Sequence, residues 1–199
     1  MKVINLFGAP SAGKSTCMLG LTYHMKLMGL SVENTPEFIK EMIYEAPVPE
    51  EFTTELFGGQ LYVLGEQNRR IARLKGKNDF VITDCPLPLI GYYTPDDYVP
   101  GFTEFVKNLN SSYDNINYLI LRKHEFENEK RKHGEEESNR IETELPLYLE
   151  QMGLKFKVVD SSENLVHHLI DDMIESDIIS LDHLKKSRNQ KVRAKYNIS

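Results

Sequence analysis

The chain has 199 residues, which is enough for one α/β domain with a sizeable core and short for two. Hydrophobic residues make up 40% and charged residues 27% of it, an ordinary balance for a globular domain. No apolar run approaches the roughly eighteen residues of a membrane helix, and the N-terminus lacks a signal-peptide layout, so we expect a cytoplasmic protein without membrane contact. Cys17 and Cys85 have no metal-binding spacing and are expected to be reduced thiols.

The net charge of −6 is unevenly distributed along the chain. Residues 184–199 carry six basic side chains and no acidic one, which leaves a charge of −12 on residues 1–183. An acidic body repels a phosphodiester backbone, so contact with DNA would have to use this tail or a basic groove. We expect one domain over residues 1–175, followed by a solvated basic tail over residues 176–199.

The N-terminal segment has the order strand, glycine loop and helix. A short apolar strand is predicted over 3–7, the loop reads GAPSAGKST, and apolar residues recur at helical spacing from 15 to 28. The loop fits G-x-x-x-x-G-K-[ST] at every fixed position, so its backbone N–H groups can surround phosphate, Lys14 can reach the β- and γ-phosphates, and Ser15 can bind Mg²⁺. The predicted nucleotide-binding residues are Gly8, Ala9, Pro10, Ser11, Ala12, Gly13, Lys14, Ser15 and Thr16.

Strands and helices alternate along the rest of the chain. Further strands are predicted over 30–34, 79–84, 116–121 and 155–159. Helical patterns cover 52–75, interrupted at Gly58-Gly59, then 102–109, a segment ending at 151, and 164–174. Another helix is predicted to start with Thr35 as N-cap and Pro36 at its first position, whereas the prolines after Asp84 argue against a helix there. This order predicts a three-layer α/β fold with a mostly parallel five-stranded sheet and helices on both faces.

Two carboxylates fall at the carboxyl edge of the predicted sheet, where ligands bind in this fold class. Asp84 ends the third strand, a position suited to orienting Mg²⁺, although an aspartate also commonly starts a turn. Glu37 follows the second strand, where it could accept a proton from an attacking hydroxyl. The helix dipole alone would also favour Glu37 at that position.

A charged stretch over 122–140 is predicted to form a lid over the site. Phosphoryl transfer needs cations that arrive when a site closes, and an arginine-bearing lid supplies them. Arg131 is the favoured candidate, with Arg122 and Arg140 as alternatives and Lys130 and Lys132 behind them. A solvated charged helix would explain the same composition.

The long helical stretch carries two weaker sets of candidates, since solvent-facing residues of an amphipathic helix have the same composition. One set could grip a phosphate of the acceptor and comprises Arg69, Arg70 and Arg73. The other could hydrogen-bond to a base or stack on it and comprises Gln60, Tyr62 and Gln67.

With these motifs in place, the chain resembles P-loop kinases of the nucleoside and nucleotide kinase division, most closely the ribosylnicotinamide kinase domain and its bacteriophage-encoded relatives. The resemblance covers about residues 2–175 and includes "GAPSAGKST", "ENTPEFIKE", "EQNRRIARLKGKNDFVITD", "FVKNLNSSYDNINYLIL" and "ESNRIETELPLYLEQMGLKFKVVD". It implies ATP and Mg²⁺ as the donor system, Glu37 near the acceptor, Asp84 near metal and acceptor, and a lid ending near Arg140.

The chain also departs from these families. Ribosylnicotinamide kinases have a second carboxylate two positions after the one that ends the strand, where this chain has Pro86. The Asp-Arg pair of thymidylate kinases and the Glu-Arg-Ser of deoxynucleoside kinases are absent as well. The resemblance therefore does not carry the identity of the acceptor.

Three functions remain open from the sequence. The favoured one is an ATP-dependent kinase acting on a small nucleoside or nucleotide. A second is a phage-type kinase of hydroxymethylated pyrimidines in DNA, which would need an extruded or single-stranded base. A third is an ATPase switch; a GTPase is disfavoured because Leu121-Arg122-Lys123-His124 stands where a guanine-reading N-K-x-D would follow the fourth strand. The sequence leaves open whether the protein forms a homodimer.

Overall fold

The computed structural model describes residues 1–45, 59–123, 135–180, 183, 184 and 194. Its strands are β1 (Lys2–Phe7), β2 (Val32–Thr35), β3 (Phe80–Thr83), β4 (Asp114–Leu121) and β5 (Lys157–Asp160). Its helices are α1 (Lys14–Leu27), α2 (Phe38–Glu45), α3 (Gln60–Ala72), α4 (Leu87–Tyr92), α5 (Phe102–Ser111), α6 (Glu135–Gln151) and α7 (Leu165–Glu175). Within these ranges, no helix combines the length and the apolar character that crossing a membrane would require.

The five strands form one sheet in the order β2-β3-β1-β4-β5, and every neighbouring pair is parallel. β1 lies at the centre, with Ile4 opposite Ile82 of β3 and Ile116 of β4. The carboxyl ends of all five strands therefore meet at one edge. The predicted α/β class with a parallel five-stranded sheet is confirmed.

Helices cover both faces of the sheet because side chains alternate along each strand. Ile4 and Leu6 point to the face that packs against α1 and α7. Val3 and Phe7 point to the opposite face, which contacts α3, α4, α5 and α6. Buried strands with apolar residues on both faces are typical of parallel sheets, and they make this edge a rigid platform.

The packed core continues past the predicted boundary at residue 175. Ile179 and Leu184 are buried in the cluster that α1 and α7 form against the sheet, near Phe80 and Met28. The first part of the predicted tail therefore contributes to the domain core. Residues 185–193 and 195–199 lie outside the described residues.

Two helix starts differ from the predictions. Thr35, predicted as an N-cap, is the last residue of β2 and pairs with Thr83, so α2 begins at Phe38. Pairing in the sheet thus overrides the local capping signal. After β3, helix α4 begins at Leu87, although prolines were predicted to prevent a helix here; Pro88 lies in its first turn, where no intrahelical N–H bond is needed.

The remaining bounds differ by small shifts. β5 begins at Lys157 rather than residue 155, because its pairing with β4 starts opposite Tyr118. α3 begins at Gln60 and ends at Ala72, and residues 52–58 of the predicted stretch lie outside the described residues. Residues 135–140 of the predicted lid form the first turns of α6.

Gly8, the first residue after β1, cannot accept a side chain without distortion. Its φ is +151°, and a Cβ atom would lie 2.7 Å from the carbonyl oxygen of Ile120 in the neighbouring strand. We expect Gly8→Ala to lower the free energy of unfolding by about 2–4 kcal/mol, since both the backbone strain and the overlap with a backbone atom must be relieved. Urea denaturation measures this change.

Gly65→Ala is the matched control, because Gly65 is an exposed residue of α3 and a Cβ there meets no atom within 4 Å. Alanine in the middle of a helix should raise the stability by about 0.5–1 kcal/mol. Equal midpoints for the two variants would contradict the steric account of Gly8.

Candidate functional site

The predicted phosphate loop joins the end of β1 to the start of α1. Ser11 and Gly13 adopt left-handed backbone conformations, with φ of +66° and +83°, and α1 begins at Lys14 directly after them. The first N–H groups of a helix have no partner within it, and the first turn of α1 contains no acidic side chain that would compete for them. The helix dipole adds to this preference for an anion.

Lys14 folds back over the loop. Its Nζ donates hydrogen bonds to the carbonyl oxygens of Gly8 at 2.7 Å and Ala9 at 2.9 Å. The ammonium group therefore lies within the curve of the loop, beside the N-terminus of α1. A phosphate held by the loop amides would meet this positive charge directly.

Asp84 connects the start of α1, next to the phosphate loop, to the turn that follows β2. The Ser15 hydroxyl donates to Oδ2 of Asp84 at 2.5 Å, and the backbone N–H of Glu37 donates to Oδ1 at 3.0 Å. Asp84 is 3% exposed. One buried carboxylate thus joins the first turn of α1 to the turns that follow β2 and β3.

The charged groups of this cluster affect the pKa of Cys85, the residue after Asp84. Burial raises the pKa of Cys85 well above its usual range, and the negative charges of Glu37 and Asp84 raise it further, while the positive charge of Lys14 opposes them. Burial also raises the pKa of the Tyr93 hydroxyl, again with a contribution from Glu37. The charge of Glu37 therefore acts on groups at the end of β3 and at the end of α4.

The oxygen atoms of Ser15 and Asp84 suit Mg²⁺, a hard cation that prefers oxygen ligands. Magnesium in phosphate-binding sites takes one or two protein oxygens and completes its shell with water and phosphate. The hydroxyl and the carboxylate lie within hydrogen-bonding distance of each other, so one ion could reach both directly or through water. In the described part of the chain, no group of three or more His, Cys, Asp or Glu side chains could hold a metal by itself.

A second contact joins the phosphate loop to the start of α6. The hydroxyl of Ser138, which is fully buried, donates to the carbonyl oxygen of Pro10 at 2.8 Å and accepts from Nη1 of Arg122 at 3.2 Å. Arg122 follows β4, and its backbone N–H donates to Oε1 of Glu142 at 2.7 Å, while its Nη2 contacts Asn139. α6 is therefore fixed to the loop by Ser138, which no sequence motif indicated.

The lid candidates are only partly described. Arg131, Lys130 and Lys132 lie outside the described residues, so the role of Arg131 stays a prediction. Arg122 follows β4 at the carboxyl edge of the sheet and is held on α6 by the contacts above. Arg140 is exposed on α6 and its Nη2 lies 4.0 Å from Glu137.

The arginines of α3 pair with carboxylates of the same chain. Arg70 contacts Glu41 at 2.5 Å and Glu66 at 3.1 Å, and Arg69 contacts Glu66 at 2.7 Å. Hydrogen bonding from Arg69, and then from Arg70, lowers the pKa of Glu66 to about 2. These pairs favour a structural role over the predicted grip on an acceptor phosphate. Arg73 is exposed at the C-terminal cap of α3.

The three candidates for base recognition have different environments. Tyr62 is half exposed, whereas Gln60 is 6% exposed and its Nε2 donates to the carbonyl oxygen of Tyr93 at 3.3 Å. Gln67 is fully buried, and both ends of its amide bond to the protein. The expectation that Gln67 contacts a base is therefore wrong, since it has no surface to offer one.

Comparison with known proteins relates most of the chain to one family. The model of the AAA_28 family, described as an AAA domain, matches residues 3–164. Comparison with curated protein sequences gives no match. Among solved structures, the NadR protein in complex with NAD and AMP-PNP aligns with a TM-score of 0.67 and 17% identity. The alignment covers 90% of this chain but only 50% of that protein, so this chain spans about half the length of NadR.

A second solved structure is the APS kinase CysC of Mycobacterium tuberculosis in complex with AMPPNP and APS, with a TM-score of 0.46 and 9% identity over 85% of this chain and 95% of that one. At these identities, the likeness to NadR is a likeness of fold. The family match covers most of the chain and includes every element from β1 to β5. The chain belongs to the AAA_28 family and has the α/β P-loop NTPase fold that its motifs predicted.

Proposed function

We propose that this protein is an ATP-dependent kinase that transfers the γ-phosphoryl group to a hydroxyl of a nucleoside or nucleotide. The observation that carries the proposal is the double hydrogen bond on Asp84, from the Ser15 hydroxyl and from the backbone of Glu37. These bonds support the proposal because they join the first turn of α1, the proposed metal ligands Ser15 and Asp84, and the turn that carries Glu37. Phosphoryl transfer needs such a set of groups.

In this reaction the acceptor hydroxyl oxygen forms a bond to the γ-phosphorus, and the bond from that phosphorus to the β–γ bridging oxygen breaks, releasing ADP. Residues Gly8 to Thr16 hold the ATP phosphates, and Lys14 balances charge that builds up on the β- and γ-oxygens. Bound Mg²⁺ would neutralise further charge on those oxygens, with Ser15 and Asp84 as its protein ligands. Glu37 accepts the proton that the hydroxyl loses, and Arg131 in the lid is the proposed cation for the transferred group.

The first experiment is transfer of label from γ-labelled ATP, with Mg²⁺, to a panel of acceptors. The panel contains nucleosides, nucleoside monophosphates, nicotinamide riboside, and DNA with and without hydroxymethylated pyrimidines. Label on a small molecule is the expected result and names the acceptor. Label on modified DNA alone, or only as free phosphate, would overturn the proposal in favour of a DNA kinase or an ATPase switch.

Replacing Lys14 tests the phosphate loop. Lys14→Ala should lower kcat by about 100-fold or more, because the variant loses a preorganised cation at the donor phosphates. Label transfer at saturating acceptor measures it. Lys26→Ala is the control on the same helix, since Lys26 is exposed and bonds to Glu33 away from the loop. Full activity of Lys14→Ala would remove the loop from the mechanism.

Replacing Glu37 tests the proton acceptor. Glu37→Gln keeps the backbone N–H that bonds to Asp84 but loses the basic oxygen, so kcat should fall by about 100-fold or more while the KM for ATP changes little. Steady-state kinetics at varied ATP separates the two parameters.

Glu33→Gln serves as the control for Glu37→Gln. Glu33 lies in β2 on the same chain segment and pairs with Lys26, so the same change of charge occurs outside the site. If Glu37→Gln turns over as fast as the Glu33→Gln control, Glu37 is only a residue at the start of α2.

A further inference from the structure

Gln67 lies beneath the two turns that carry Asp84 and Glu37. It belongs to α3, has no exposed surface, and forms hydrogen bonds with three residues, one each in β2, β3 and α2. Its Oε1 accepts a hydrogen bond from the backbone N–H of Phe38 at 3.1 Å. Its Nε2 contacts the carbonyl oxygen of Thr35 at 3.4 Å and the hydroxyl of Thr83 at 3.3 Å.

These contacts enclose Glu37 on both sides along the chain. The amide of Gln67 bonds to the residue after Glu37 through Phe38, and it contacts the end of β2 through Thr35. The Thr83 hydroxyl donates to the same Thr35 carbonyl at 2.9 Å and accepts from the N–H of Cys85 at 3.2 Å. The backbone positions of Glu37 and of the residues around Asp84 are therefore set by one buried polar network.

A carboxamide satisfies this arrangement at each of its polar atoms. The network needs one acceptor for an N–H group and donors for a carbonyl and a hydroxyl oxygen, which is what a glutamine side chain provides. A glutamate would bury a charge and offer no donor when ionised, and an apolar side chain would leave a buried N–H group and a buried carbonyl with fewer partners. The chemistry of the residue thus matches its surroundings at each polar atom.

We infer that Gln67 is a positioning residue that holds Glu37 at its distance from Asp84. This inference rests on the proposed function, since it gives Glu37 the role of proton acceptor. A general base must lie within hydrogen-bonding distance of the substrate hydroxyl, while Asp84 would serve as a ligand of the magnesium ion. Gln67 therefore acts on turnover through the placement of Glu37 and makes no contact with either substrate.

The first test is Gln67→Met, which keeps the length of the side chain and removes its polar atoms. We expect kcat to fall by about 10- to 100-fold and the KM for ATP to change by less than about twofold, because a small displacement of a reacting group is costly and the phosphate loop is untouched. Activity is measured with the acceptor that the label-transfer panel identifies, or with water if only phosphate is released.

Asn68→Leu is the matched control on the same helix. Oδ1 of Asn68 accepts a hydrogen bond from the Tyr113 hydroxyl at 2.6 Å, so this variant also loses a partly buried hydrogen bond of α3, on the side away from the site. Its kcat should stay within about twofold of the wild-type value. An equal loss of kcat in Gln67→Met and Asn68→Leu would show a general weakening of α3 and overturn the inference.

The decisive measurement combines Gln67→Met with Glu37→Gln. If Gln67 acts through Glu37, adding Gln67→Met to the Glu37→Gln variant should lower kcat by less than about twofold, since the effects of coupled residues are not additive. If the two losses multiply, Gln67 does not act through Glu37. A kcat that Glu37→Gln alone leaves unchanged would instead refute the proposed role of Glu37, so the two failures are distinguishable.

Thr83→Val provides a second route if Gln67→Met does not fold. Valine keeps the shape of threonine and removes the hydroxyl that contacts Nε2 of Gln67 and the carbonyl of Thr35. The same pattern is expected: a lower kcat, an unchanged KM for ATP, and little further loss in the Glu37→Gln background. Additive behaviour of Thr83→Val and Glu37→Gln would likewise count against the network.

Discussion

The carboxylate of Asp84 accepts one hydrogen bond from each of two segments that precede it along the chain. Ser15 belongs to the first turn of α1 and Glu37 to the turn after β2, and both bonds end on a side chain that is 3% exposed. A buried carboxylate without such donors would carry a large desolvation cost. The same two hydrogen bonds therefore offset the desolvation cost of the Asp84 carboxylate and fix the arrangement of the site. Each donor segment is held where the carboxylate needs a hydrogen bond.

Local patterns were enough to predict the parallel sheet and the place of its ligand edge. The strand, loop and helix around Gly8 to Ser15 follow from glycine spacing and apolar periodicity. Asp84 and Glu37 could be placed near each other because parallel strands end at a common edge, whatever their order in the sheet. Their roles in the reaction stay predictions, and so does the role of Arg131.

Contacts between distant segments could not be read from the sequence. Thr35 and Pro36 carry a good signal for a helix start, yet Thr35 pairs with Thr83 and its carbonyl accepts from Gln67. The glutamine itself looks like any polar residue of an amphipathic helix until the neighbouring strand supplies its partners. Ser138 is similar: nothing in its local sequence indicates that its hydroxyl reaches Pro10, which is 128 positions away.

The central position of β1 has a consequence for how the domain folds. β1 is the first strand of the chain, but its two neighbours are β3 and β4, which end at Thr83 and Leu121. During synthesis the phosphate loop is therefore made long before β3 and β4, the two strands that support it. Gly8 can contact Ile120 only after β4 has been made. Pairings of this separation are slow because the loop-closure entropy must be overcome first. If the loop binds a nucleotide as proposed, that ligand stabilises the assembled domain by mass action and gives little help to a chain that ends before β3 and β4.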